Sequence, residues 1–139
     1  MELLLPQDYV ESTAERLSLY RELDHTKDEK QLELFVMKLS DRFGKLPKQS
    51  QELISAIRLR WIAAEKGFEK IVLKNRRMTC YFPENRENPF FQSPDFISII
   101  DFVKRNPDKC LLKEKNEKLS LAIKDISSIS SAIEWLNKS

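Results

Sequence analysis

The sequence predicts an α+β fold: a helical N-terminal half followed by two β-hairpins and two further helices, with the helices packed on an antiparallel sheet. Three observations predict it. Leu32, Phe35, Val36, Leu39 and Phe43, and again Leu53, Ile54, Ile57, Trp61 and Ala64, recur at the spacing of one helical face. After Gly67 the apolar period falls from 3.6 to 2, the signature of strands. Two polar triplets, Asn75-Arg76-Arg77 and Lys115-Asn116-Glu117, each separate a pair of strand-like runs.

Taken in order, Glu2-Leu3-Leu4-Leu5-Pro6 reads as the middle of a strand, and so as the start of a fragment cut from a longer protein. Ser12 with Glu15 three residues later forms a capping box ahead of Ala14, Leu17, Tyr20 and Leu23, which predicts a first helix of about three turns. His25-Thr26-Lys27-Asp28 is the polar break before the second helix, and His25 reads as a solvated loop residue. That second helix ends at Gly44, where a positive φ lets the chain satisfy terminal carbonyls, and Pro47 prevents continuation into a single rod. The third helix runs to Gly67, the next C-terminal cap.

Phe68 to Lys74 and Met78 to Phe82 then read as a hairpin with a basic tip, and Pro83 to Pro89 as a polar connection. Ser93 caps a fourth helix with Pro94 at its first position and Phe96, Ile99, Ile100 and Val103 on its buried face. Pro107 ends it. Cys110 to Lys113 and Leu119 to Ile123 form the second hairpin, and Ser127 or Ser128 opens the last helix, docked by Ile129, Ala132, Ile133 and Leu136.

A chain of 139 residues, 41% hydrophobic, is long enough for one ordinary core, so residues 1–139 are expected to be a single domain. No apolar run approaches a membrane span and no signal-peptide layout opens the chain, which suggests a soluble cytoplasmic protein. A net charge of +2 points to a protein partner before a nucleic acid, because any phosphate-binding stripe would need local clustering. Cys80 and Cys110 lie in apolar stretches without a C-x-x-C pair and read as reduced, buried thiols.

Glycine occurs only at Gly44 and Gly67, so no loop can wrap successive amides around a phosphate and no nucleotide site is expected. One histidine and scattered serines offer no nucleophile motif. The acids Glu33, Asp41, Glu52 and Glu65 are best explained as solvated helix faces. Residue chemistry alone therefore leads to a non-catalytic interaction or regulatory domain.

Specific motifs extend that reading. The chain resembles the C-terminal domain of the bacterial transcription-repair coupling factor family at Leu5-Pro6-Gln7-Asp8-Tyr9-Val10, at Arg16-Leu17-Ser18-Leu19-Tyr20-Arg21 and most sharply at Leu39-Ser40-Asp41-Arg42-Phe43-Gly44-Lys45-Leu46-Pro47. It continues at Leu59-Arg60, Ala63-Ala64 and Gly67-Phe68-Glu69-Lys70-Ile71, whereas beyond Val72 only the order of elements is similar. The resemblance implies a regulatory domain of an ATP-dependent DNA translocase that displaces stalled RNA polymerase and recruits excision repair through UvrA. It implies that this domain packs on a UvrB-like module of the same protein, masks the UvrA-binding surface and restrains the motor. No cofactor is implied for the domain itself; ATP and magnesium belong to the upstream motor.

Partner docking is expected at Lys38, Asp41 and Arg42, with Phe43, Gly44, Pro47 and Gly67 as the structural motif. The family's helix commonly reads Glu-Leu-x-Asp-Arg-Phe-Gly, and this chain has Lys38 in place of the first acid while keeping Asp41, which implies a rewired charge pattern. The alternative is an accessory domain that contacts nucleic acid through Arg76, Arg77, Lys113 and Lys115.

Overall fold

Five α-helices, one 3-10 helix and four strands are found among the described residues, 4–139, of the computed structural model. They fall into two units divided after Arg58.

The first unit holds α1 (Thr13–Asp24), α2 (Glu29–Phe43) and the beginning of α3 (Lys48–Glu65). Ser12 caps α1 as expected, its Oγ accepting the Glu15 amide at 3.2 Å, and Asp28 caps α2 by accepting the Gln31 amide at 2.8 Å. The opening segment differs from expectation. Glu2 and Leu3 lie outside the described residues, and the part of the predicted strand that is described forms no strand. Pro6 instead begins a turn in which its carbonyl accepts the amides of Tyr9 and Val10. The Leu5 amide, left without a ladder, donates to the Tyr20 hydroxyl at 2.8 Å.

The buried side of α1 also differs. Leu19 and Leu23 are buried, whereas Ala14 is exposed and Leu17 is 52% exposed, so the expected Ala14–Leu17 face belongs to the solvent side. On α2 the expected face holds at Leu32, Phe35 and Leu39, but Phe43 is only half-buried because it occupies the last turn. Gly44 adopts φ +92, and nothing stands within 4 Å of where a Cβ would be; backbone conformation alone favours glycine there. The chain breaks as Pro47 requires, and the Pro47 carbonyl then accepts the Ser50 and Gln51 amides at the start of α3. Arg58 of α3 clamps Glu29 of α2 with its Nε and Nη2, the shortest contact being 2.6 Å. On α3, Ile54 and Ile57 are buried as predicted, but the next turns bury Leu59 and Ala63 and leave Ala64 exposed.

The second unit contains β1 (Lys70–Lys74), β2 (Arg77–Tyr81), the 3-10 helix (Pro89–Gln92), α4 (Pro94–Arg105), β3 (Cys110–Lys115), β4 (Lys118–Ile123) and α5 (Ile129–Lys138). Both hairpins form, with tips shorter than predicted. Arg77 and Lys115 belong to strands, which leaves the two-residue turns Asn75-Arg76 and Asn116-Glu117, all four residues at positive φ. Such turns match the twist of the flanking strands. The strand order is β1-β2-β4-β3, antiparallel throughout. Met78, Cys80, Cys110, Leu121 and Ile123 are buried on one sheet face; Ile99 and Phe102 of α4 and Ile129, Ala132 and Leu136 of α5 are also buried. The helix α4 packs against β3, and Phe102 meets Trp135 of α5 edge-on at 6.2 Å. Ser93 and Ser128 are the N-caps of α4 and α5.

Part of the predicted connection, Pro83 to Pro89, leads into the 3-10 helix, whose Phe90 and Phe91 join Phe68, Phe82 and Phe96 in an aromatic cluster with centroid separations of 5.0 to 6.3 Å. This cluster gives Gly67 a second role. At φ +96 it ends the helix, and any Cβ there would overlap the Phe90 ring.

Candidate docking face

The outer side of α2 is built by the same periodicity that buries its inner side. Leu34 lies two positions from Leu32, about 200° around the helix, and Met37 lies two from Phe35, so neither can share the buried face. Both are open, at 56% and 60% exposure. Asp41, four residues after Met37, extends the row by another turn and is exposed. Leu34, Met37 and Asp41 thus form an apolar stripe ending in a carboxylate. Leu34 and Met37 are absent from the docking residues expected from the sequence, although their offset from Leu32 and Phe35 carries the signal.

The three charged docking candidates differ in how far they are already engaged. Lys38 holds Glu22 of α1 at 3.0 Å, in a pair half-open to water. Arg42 pairs with Glu15 and lies over the Phe43 ring, 5.0 Å from its centroid. Asp41 has no hydrogen-bond or ion-pair partner among the described residues. It stands in the last turn of α2, where the negative end of the helix dipole disfavours an acid. The helix gains nothing locally from this carboxylate.

The end of α2 is fixed from the opening segment. Tyr9 donates its hydroxyl to the Gly44 carbonyl at 2.7 Å and to that of Leu39 at 3.3 Å, and its ring meets Phe43 at 5.7 Å. Burial raises the Tyr9 pKa, which keeps the hydroxyl a donor at neutral pH. Arg16 closes the same segment by donating to the carbonyl of Val10 at 2.7 Å. Phe43, Gly44 and Pro47 thus shape the turn after the stripe, whereas Gly67 serves the aromatic cluster of the second unit.

The four candidate nucleic-acid residues lie in the second unit and are exposed. Arg76 occupies one turn and Arg77 follows it; Lys113 and Lys115 run toward the other turn. Because β2 and β4 are antiparallel, with Met78 opposite Ile123 and Tyr81 opposite Ser120, the two turns are at opposite ends of the sheet. The basic residues form two groups, not one cluster.

A family model described as the TRCF domain matches residues 1–93, well over half of the chain. The chain belongs to the TRCF domain family. Among curated relatives of this TRCF domain, the transcription-repair-coupling factor of Escherichia coli (strain K12) is 30% identical over 136 residues, covering 97% of this chain and 11% of the relative. That of Buchnera aphidicola subsp. Acyrthosiphon pisum (strain APS) is 39% identical over 72 residues, 52% of this chain and 9% of the relative. The chain therefore spans about a tenth of the length of these relatives. A crystal structure of the C-terminal domain of a transcription-repair coupling factor shares the fold, with a TM-score of 0.72 at 15% identity, covering 99% of this chain and 86% of that one. Among the described residues, no helix is long and apolar enough to cross a membrane.

Proposed function

We propose that this TRCF domain is a non-catalytic regulatory clamp, acting as one domain over residues 1–139 within a larger cytoplasmic DNA translocase that couples transcription to nucleotide excision repair. Its docking face is the stripe Leu34, Met37 and Asp41, set against a UvrB-like module of the same protein. Docking masks the surface that UvrA would bind and restrains the motor. RNA polymerase and DNA are reached through the rest of the protein.

The observation that carries this reading is Asp41, an exposed carboxylate without a partner among the described residues, at the end of an exposed apolar row. Apolar anchors beside a charge suit an interface that must open and close, because the anchors supply affinity while the charge sets register. Lys38, already paired with Glu22, takes the place of a second acid and leaves Asp41 as the principal charge of the face.

The test is UvrA binding and basal ATP hydrolysis by the full-length protein carrying Asp41→Ala or Met37→Ser. A loosened clamp shifts the population toward the open form, so both readouts should rise. Docking should weaken by up to a few kcal/mol for each change. Unchanged UvrA binding in both variants, with both still folded, overturns the docking face.

A further inference from the structure

Register and pleat sort the strand residues of the second unit into two sets of opposite chemistry. Alternate side chains share a face. One face therefore carries four rungs: Lys74 with Arg77; Val72, Thr79, Ala122 and Leu111; Lys70, Tyr81, Ser120 and Lys113; and Lys118 with Lys115. Six of these residues are cations and none is an acid. The other face holds the buried Met78, Cys80, Leu121 and Ile123.

The cationic face is open along its rim and filled at its centre: all six basic residues are exposed, Tyr81 is 37% exposed and Leu111 is 49% exposed, whereas Ser120 and Ala122 of the central strand are buried. Between the two charged ends lies an apolar, small-residue centre around Ala122, with the Tyr81 ring one rung away and the Lys70 ammonium 5.5 Å from that ring's centroid. Four rungs spaced by two residues span about 20 Å, room for a few nucleotides.

The pattern works against the stability of the sheet that bears it. Lys74 stands directly opposite Arg77, and Lys115 directly opposite Lys118, and like charges in such positions repel. Each pair closes a turn in which a non-glycine second residue, Arg76 or Glu117, takes positive φ. Only Lys118 of the six pairs with a carboxylate among the described residues, Glu84 at 3.1 Å. Opposite charges at these positions would favour the hairpins, so a bound polyanion is the partner that turns the repulsion to advantage. An acidic protein would answer the cations, but it gives no particular use to an exposed aromatic ring among them. A single nucleic-acid strand uses both, with phosphates on the cations and a base on the ring.

We propose that the open face of the β1-β2-β4-β3 sheet binds single-stranded nucleic acid, with phosphates on Lys74, Arg77, Lys113 and Lys115 and a base stacked on Tyr81. The proposal rests on residues of the second unit alone and does not depend on the docking reading.

The experiment follows fluorescence anisotropy of a labelled 12-nucleotide oligothymidine with the 139-residue chain at stepped salt. About four phosphate contacts give a log–log salt slope near −3, so affinity should fall roughly 50-fold between 50 and 200 mM salt. Lys74→Gln with Arg77→Gln, and separately Lys113→Gln with Lys115→Gln, should each weaken binding at least fivefold and flatten the slope by about 1.4. Their melting temperatures should stay level or rise, since a repulsion is removed. Tyr81→Ala should weaken binding without changing the slope. Lys30→Gln with Lys48→Gln on the first unit makes the same change in net charge and should leave affinity within twofold. Absence of binding at 50 mM salt, equal loss in the control pair, equal or tighter binding of a duplex of the same length, or equal competition by polyglutamate would each overturn the proposal.

Discussion

The Tyr9 hydroxyl donates to the Gly44 carbonyl at 2.7 Å, so a residue of the opening segment closes the far end of helix α2. The last carbonyls of a helix have no partner within it, and here a distant side chain supplies one. Tyr9→Phe keeps the ring against Phe43 and removes only the donor. It should cost about 1 kcal/mol in urea denaturation. Tyr9→Ala, which also loses the ring, should cost about 2 to 3 kcal/mol, less than a fully buried aromatic. Equal losses in the two variants would mean that the hydrogen bond, not the ring contact, holds this end.

The two glycines should respond differently to alanine. Both have positive φ, and Gly44 pairs it with ψ −168, a backbone strain that costs an alanine about 1 to 3 kcal/mol. At Gly44 a Cβ meets nothing, so that is the whole expected loss. At Gly67 the methyl would displace the Phe90 ring, adding an overpacking cost of about 1 to 3 kcal/mol. Gly67→Ala should therefore be the more destabilising in parallel denaturation curves, and Phe90→Leu in the same chain should return part of the difference.

Cys80 predicts an alkaline dependence of stability. Burial, reinforced by nearby Cys110, pushes its pKa from the ordinary 9.0 to about 12. The folded chain keeps the proton that the unfolded chain releases. The contribution is complete below pH 9 and is lost as pH climbs toward 12, by up to about 1.4 kcal/mol per pH unit. Relative to wild type, Cys80→Ala should flatten the fall of stability across that window. In the folded chain at neutral pH, the Cys80 thiol should react with a thiol reagent only as fast as the protein opens.

Features set by local chemistry are legible in the sequence, and features set by tertiary placement are not. Caps at Ser12 and Ser93 were legible, and that of α5 was narrowed to Ser127 or Ser128, because a side chain and an amide three residues on decide them locally. The hairpins were legible because alternation is a local period. The inward face of α1 was not: Leu17 and Leu19 are equally apolar, and tertiary placement alone exposes one and buries the other. Leu4 and Leu5 looked like a strand because an apolar run says nothing about a hydrogen-bonding partner, and the Leu5 amide found Tyr20 instead. Likewise Arg76, Arg77, Lys113 and Lys115 could be picked out by charge, whereas their separation to opposite ends of the sheet required the β2–β4 register. The docking motif stood out through Asp41-Arg42-Phe43-Gly44, yet its apolar part, Leu34 and Met37, became visible only once the buried side of α2 was fixed.

Asp41 separates docking from folding most cleanly. In the last turn of α2 its carboxylate faces the negative end of the helix dipole without a partner among the described residues, so neutralising it should relieve an unfavourable interaction. Asp41→Asn in the 139-residue chain should leave stability unchanged or raise it by about 0.3 to 1 kcal/mol, with the gain shrinking as salt screens it. Phe43→Ala, one turn-end neighbour away, removes a half-buried ring that meets Tyr9 at 5.7 Å and carries Arg42 above it. That should cost about 2 to 3 kcal/mol, below the loss for a fully buried phenylalanine. A residue that weakens its own helix is the kind a function retains at the expense of stability. If chemical denaturation instead shows Asp41→Asn losing as much as Phe43→Ala, the carboxylate is structural, and the stripe through Leu34 and Met37 loses its charged end as a docking site.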